Sequence, residues 1–192
     1  MNYKVIIGDV TCPVIHSDHC YILQIVNDEN RQSAGVAKAI YKKWPQVKTE
    51  YHEWFYRYGE RLYRRSKSFL PAKLGRNQYI EVEENLTVVN MIAQSDCGGY
   101  QGYPPIRYQS LCECLIRFAD HLNHQRQRSF EIAAPLFGTG LAGGTIKNVI
   151  TVVNKAIYNR DIFADVLWTW YVLTDEEKKE TEAAFHPRCG IS

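Results

Sequence analysis

Apolar runs of strand length alternate along this chain with segments of helical period, and that alternation restricts it to a sheet layered with helices. "YKVIIGD" (3–9) and "CYILQIVND" (20–28) read as strands, each running out into polar residues at its carboxyl end. "AGVAKAIYKKW" (34–44) has helical composition and stops before Pro45, which disfavours helix at the residue preceding it. In the next helix Tyr51, Trp54, Phe55, Tyr58 and Leu62 recur at helical spacing as one apolar face, and Arg57, Arg61, Arg64, Arg65 and Lys67 crowd its exit. "NQYIEVEE" (77–84) and "LTVVNMIAQ" (86–94) predict a hairpin turning at Glu84 and Asn85. A loop "CGGYQGYPP" (97–105) then leads to a long helix over about 106–124, a strand "SFEIAAP" (129–135), a glycine loop, a helix over about 144–158 and a last strand "DVLWTWYVL" (165–173). The expected fold is three-layer α/β, helices on both faces of a mixed, mostly parallel sheet of about six strands. Residues 1–173 are expected to form that domain and 174–192 a tail, in which Thr174 and Glu177 stand at capping-box spacing and predict a short helix.

The 192 residues, 45% apolar and 23% charged, suit one domain with a sizeable core. A net charge of +2, from 23 basic against 21 acidic residues, gives no sign of a general nucleic-acid or membrane-surface binder. No run approaches the roughly 18 apolar residues of a membrane span, and "MNYKVIIGDV" has no signal-peptide pattern, so a cytoplasmic location is expected. The six cysteines include no C-x-x-C pair, and reduced thiols are expected. His16, His19 and Cys20 lie close together, as do His121 and His124, but a metal centre needs three or four suitable ligands; surface histidines and no metal are expected. The aromatic and basic helix suggests single-stranded nucleic acid, yet its rings share one face, which favours a packed stripe with a solvated basic end; steering of a phosphate-bearing ligand or partner by that end stays open.

Ligands of such sheets lie at the carboxyl ends of the strands, where three loops leave: 27–35, 94–105 and 136–144. The last, within "PLFGTGLAGG" (135–144), offers bare backbone: Gly138, Gly140, Gly143 and Gly144 can take positive φ and bring N–H groups close to a ligand, because no Cβ intervenes. "SAGVA" (33–37) repeats the device at another helix start, so two helix starts flanked by glycine are expected to hold a diphosphate from opposite sides. No G-x-x-x-x-G-K-[ST] is present, and no G-x-G-x-x-G follows the first strand, which argues against a P-loop nucleotidase or a Rossmann dehydrogenase. By itself "GTGLAGG" suits a ligand loop and a plain tight connection equally well.

Taken together, "GDVT" (8–11), "QIVNDENRQSAGVAKAI" (24–40), "VVNMIAQ" (88–94), "PPIRY" (104–108) and "APLFGTGLAGG" (134–144) resemble a macrodomain, the ADP-ribose-binding fold, over about residues 3–173. Within it the chain looks most like the branch of the terminal ADP-ribose protein glycohydrolase and the related chromatin remodeller. The resemblance implies that Asp9 accepts a hydrogen bond from the adenine amino group with Val10 beside it, and that Tyr171 packs on adenine; a tyrosine merely filling a sheet edge is the alternative. It implies Ala34, Gly35 and Val36 on one side of the diphosphate, and Gly138, Thr139, Gly140, Leu141 and Ala142 on the other. Asn27 matches the polar residue against the distal ribose, with local backbone satisfaction as its alternative, and Asp28 or Glu29 beside it could serve as general acid or base. Asn27 and Asp28 are thus the catalytic candidates; Gln94 and Arg107 are expected to shape the third loop. The glycohydrolase's lysine nucleophile has no counterpart in "IEVEEN" (80–85), Ala142 stands where it has a loop aspartate, and Lys73 lies several residues upstream. Two functions stay open: hydrolysis of an ADP-ribose derivative (acyl ester, 1″-phosphate or ADP-ribosylated side chain), and non-catalytic recognition of ADP-ribose or an ADP-ribosylated macromolecule. Neither implies a cofactor, a membrane partner, or nucleic acid other than as an ADP-ribosylated substrate.

Overall fold

The computed structural model describes residues 2–31, 34–66, 74–95, 104–125, 129–157 and 160–185. The chain runs β1 (Asn2–Ile7), β2 (His19–Asn27), α1 (Gly35–Lys43), α2 (Pro45–Ser66), β3 (Asn77–Glu83), β4 (Leu86–Gln94), α3 (Tyr108–Gln125), β5 (Phe130–Pro135), α4 (Ile146–Ile157), a 3-10 turn at Asp161–Phe163, β6 (Leu167–Val172) and α5 (Asp175–Phe185). The strands form one sheet in the order β1, β6, β5, β2, β4, β3. Every pairing is parallel except that of β3 with β4, the expected hairpin at Glu84 and Asn85. The mixed three-layer sheet matches the expectation from sequence.

Burial explains the strand patterns. β2, β4 and β5 lie inside the sheet with helices over both faces, so they are apolar almost without alternation. The edge strands β1 and β3 alternate instead. On one face α3 presents Leu111, Cys114, Leu115, Phe118, Ala119 and Leu122, and α4 presents Val149, Ile150 and Val153, against Tyr21, Leu23, Met91, Trp168 and Trp170. Helical spacing of those positions makes each face continuous, and fully burying one such side chain contributes about 1.5–3 kcal/mol. On the other face Ile40, Trp44 and Val47 cover Ile22, Val88 and Ala133, while Tyr51 covers Val26 and Ile92. Trp54 and Phe55 are partly buried on the same stripe of α2, and Arg57 is exposed and paired with Glu53 at 3.1 Å. The side chains of Tyr58, Leu62, Arg61, Arg64 and Arg65, and all of Lys67, lie outside the described residues.

Pro45 divides α1 from α2. Trp44, held at φ −125° and ψ 83°, ends the first helix, and the proline then occupies the first position of the second, where its missing N–H is harmless. The predicted cap also forms, Glu177 N–H donating to Thr174 Oγ1 at 3.1 Å, while the Glu177 carboxylate reaches back past the cap residue to accept from the Leu173 N–H at 2.7 Å. The α5 helix it starts packs onto the sheet, where Phe185 stacks on Tyr3 with centroids 3.9 Å apart and Thr181 is buried.

Candidate functional site

The five mutually parallel strands end on one rim, and a cleft of about 890 Å³ opens there. That volume falls within the usual range for small-molecule sites, about 300–1,000 Å³. The cleft runs across the ends of β1, β6, β5, β2 and β4, with the start of α1 along one wall and residues 136–142 along the other.

At the β1 and β6 end, Gly8, Asp9, Val10 and Tyr171 all line the cleft. Asp9 is exposed, and its Oδ1 caps its own turn by accepting from the Thr11 N–H at 2.9 Å. A carboxylate has about four acceptor positions, so the turn uses only part of its capacity. Val10 is buried beneath it. Tyr171 does not fill a sheet edge: β6 lies between β1 and β5, and the ring packs with Val10 and Ile22 below Gly8. Its hydroxyl accepts from the Val14 N–H at 3.1 Å, and burial raises its pKa while that bond partly opposes the rise. Leu173 and Glu177 also line this end, and among the described residues Leu173 is one of the few large apolar side chains left exposed. Sequence reading missed both; the signal available for Glu177 was its capping-box spacing, which pointed to helix and not to ligand.

In the middle, Ala34, Gly35, Val36 and Ala37 line one wall. Ala34 is the N-cap of α1, makes no side-chain cap bond, and no acid occupies the first turn, so among the described residues neither the cap nor the first turn supplies a side-chain acceptor to the N–H groups of this helix start. Gly35 has φ +59°, a conformation unfavourable to side chains. Opposite stand Gly138, Thr139, Gly140, Leu141 and Ala142. Their loop folds on itself: Thr139 Oγ1 donates to the Leu136 carbonyl at 2.8 Å, and the Gly144 N–H donates to the Gly138 carbonyl at 2.7 Å. Of the four glycines able to take positive φ, Gly138 (+82°) and Gly143 (+70°) do so. The second helix start is likewise not part of the lining. Thr145 caps α4 by accepting from the Asn148 N–H, and the Tyr108 hydroxyl accepts from the Thr145 N–H, so those donors are used internally. The cleft therefore sets one helix start against one loop, not two helix starts against each other.

At the β2 and β4 end, Asn27, Arg31 and Gln94 line the cleft. Asn27 is buried, and its carboxamide closes the following turn: Oδ1 accepts from the N–H groups of Glu29 and Arg31, both at 3.0 Å, and Nδ2 donates to the Arg31 carbonyl. Local backbone satisfaction, the alternative reading, thus describes its main employment and leaves one Nδ2 hydrogen facing other partners. Asp28 is not part of the lining; its N–H donates to the Gln94 carbonyl, and its charge acts on Tyr51, buried on α2, so it is not brought to the cleft with Asn27. Glu29 also stands outside the lining and pairs with Arg31 at 3.4 Å. Arg107 donates to the Pro104 carbonyl, shaping the third loop from outside the cleft. Ser33, Cys97 and Lys73 lie outside the described residues.

The ionisable side chains of the lining are Asp9, Arg31, Tyr171 and Glu177, among the described residues. Cys12, Cys20, Cys112 and Cys114 are free thiols, and burial pushes the Cys20 thiol up to about 12. His19 is not a surface histidine: half-buried, it bonds Thr87 Oγ1 at 2.9 Å. His121 likewise stacks on Tyr79 at 3.9 Å. No three His, Cys, Asp or Glu side chains converge among the described residues, and no described helix is long and apolar enough to cross a membrane.

Solved structures share this architecture. A macrodomain protein from Streptomyces coelicolor superposes with a TM-score of 0.64 at 26% identity, over 88% of this chain and 98% of its own. The chain has the macrodomain fold. A macrodomain variant of Oceanobacillus iheyensis, solved with ADPR, superposes with a TM-score of 0.68 at 14% identity, over 96% of this chain and 92% of its own. A protein of unknown function from Bacteroides thetaiotaomicron gives a TM-score of 0.72 at 29% identity, over 90% and 99% of the two chains. No family model matches the sequence of this chain, and no curated protein does.

Proposed function

We propose that this macrodomain binds ADP-ribose, free or attached to a macromolecule, and holds it without cleaving it. The observation that carries the reading is the opposition of two backbone donor sets across one cleft, the start of α1, which Ala34 leaves without a side-chain cap, and the loop at 136–142. Amides at a helix start and in a bare loop favour anionic oxygens, and a diphosphate presents them on both sides. Asp9 at one end has acceptor capacity for an exocyclic amine, beside the apolar support of Tyr171 and Val10. The far end, beside Asn27, Gln94 and Arg31, receives the distal sugar. Support for the branch of the glycohydrolase and chromatin remodeller stays with "GLAGG" at 140–144.

Retention rather than hydrolysis is favoured by what stands at that sugar end. Asn27 is engaged with its own turn and Asp28 is outside the lining. Cleavage of an acyl ester, 1″-phosphate or ADP-ribosylated side chain requires a base or nucleophile within reach of the sugar. A time course with O-acetyl-ADP-ribose, ADP-ribose-1″-phosphate and an ADP-ribosylated protein, followed by phosphorus NMR and mass spectrometry, tests the reading. Binding without turnover is expected. Release of ADP-ribose from any of the three identifies a hydrolase and its leaving group, and absence of binding removes the ADP-ribose assignment itself.

A further inference from the structure

Three amide side chains form a buried ladder across the sheet. Gln24 on β2 stands opposite Asn90 on β4, and Asn90 opposite Gln78 on β3. Gln24 Nε2 donates to Asn90 Oδ1 at 2.6 Å, Asn90 Nδ2 donates to Gln78 Oε1 at 3.1 Å, and Gln78 Nε2 donates to the Glu50 backbone carbonyl of α2 at 2.9 Å. Gln24 and Asn90 are 1% and 0% exposed. The last bond gives the ladder its direction. A backbone carbonyl can only accept, so it orients Gln78, which orients Asn90, which orients Gln24. The oxygen left over is Gln24 Oε1, buried without a hydrogen-bond partner, on a residue that lines the cleft three positions before Asn27.

We propose that Gln24 is a specificity residue of the cleft, its Oε1 accepting a hydrogen bond from an O–H donor of the distal sugar. The inference rests on the ADP-ribose reading above. A buried carbonyl oxygen without a donor is unfavourable, and a bound group that supplies the donor relieves it. A diphosphate at neutral pH has no proton to give and is repelled by that oxygen; a sugar hydroxyl has one. The ladder thus selects what is attached beyond the diphosphate, while the amides of α1 and the glycine loop hold the diphosphate itself.

Calorimetric titration of wild type and Gln24→Met with ADP-ribose and with ADP separates the terms, because methionine keeps the side-chain length and removes the acceptor. Gln24→Met is expected to bind ADP-ribose about tenfold more weakly, the factor equivalent to one typical hydrogen bond, and ADP unchanged. Since removing one rung of a buried ladder can weaken folding, the wild-type protein supplies a second readout: the Gln24 side-chain carbon-13 carbonyl resonance, expected to move on saturation with ADP-ribose and not with ADP. Equal affinities of Gln24→Met for ADP-ribose, equal losses for both nucleotides, or an unmoved resonance overturns the role of Gln24 alone. Failure of the wild type to bind ADP-ribose overturns the functional reading and this inference with it.

Discussion

The Tyr171 hydroxyl accepts a hydrogen bond from the Val14 N–H, 3.1 Å away across 157 residues of sequence. It ties the end of β6 to the loop that follows β1, the loop carrying Asp9. Tyr171→Phe keeps the ring that packs under Gly8 and removes the tie. We expect a loss of stability of about 0.5–1.5 kcal/mol by urea unfolding, the net worth of one such bond, with ADP-ribose affinity falling by a few-fold as the Asp9 loop loosens. Unchanged affinity would detach the loop's position from this bond.

Two glycines of one loop are predicted to fail in different ways. A Cβ at Gly138 would meet Ile106 Cδ1 at 2.4 Å, on a backbone of φ +82°, whereas one at Gly140 meets nothing within 4 Å. Gly138→Ala is therefore expected to cost about 1–3 kcal/mol of stability through overpacking and strain. Gly140→Glu should fold with a near wild-type melting temperature and lose ADP-ribose binding, because its carboxylate enters the diphosphate position. Retained affinity in folded Gly140→Glu refutes the assignment of the loop.

Asp9→Ala is expected to weaken ADP-ribose binding by about 1.5–3 kcal/mol, the range for a hydrogen bond to a charged group. Titration with ribose-5-phosphate, which has no base, should respond little to the same substitution. An equal loss for both ligands would mean that Asp9 acts by shaping its turn.

Acidification is expected to destabilise the fold through its histidines. Burial lowers the pKa of His19, opposed in part by Glu81, and lowers those of His52, beside Lys48, and His121, beside His124, all from 6.5. Below about 6.5 the unfolded chain therefore binds more protons than the folded one, so stability is full above that pH and declines as pH falls toward the folded values. Urea unfolding at pH 7.5, 6.5 and 6.0 should show this decline, shallower in His19→Gln. Stability that is flat or rises over that interval contradicts the assigned direction.

Local patterns made most of the architecture legible in the sequence. Strand and helix periods, Pro45, the turn at Glu84 and Asn85, and the Thr174 and Glu177 cap depend on neighbours within a few residues, and each has its counterpart in the structure. Much of the cleft was legible for a related reason: glycine-flanked loops at strand ends mark the rim of a parallel sheet wherever the strands fall in its order. Strand order itself, β1 beside β6 and β2 beside both β4 and β5, follows from long-range pairing and decided which loops share the cleft. Only tertiary contacts decided the employment of individual side chains. Tyr171 takes the Val14 N–H, Tyr108 takes the Thr145 N–H at the start of α4, Leu173 and Glu177 reach the cleft from beyond β6, and register alone lines up Gln78, Asn90 and Gln24. A side chain's hydrogen-bond partners depend on where distant backbone passes it, and residue type and spacing do not encode that path one position at a time.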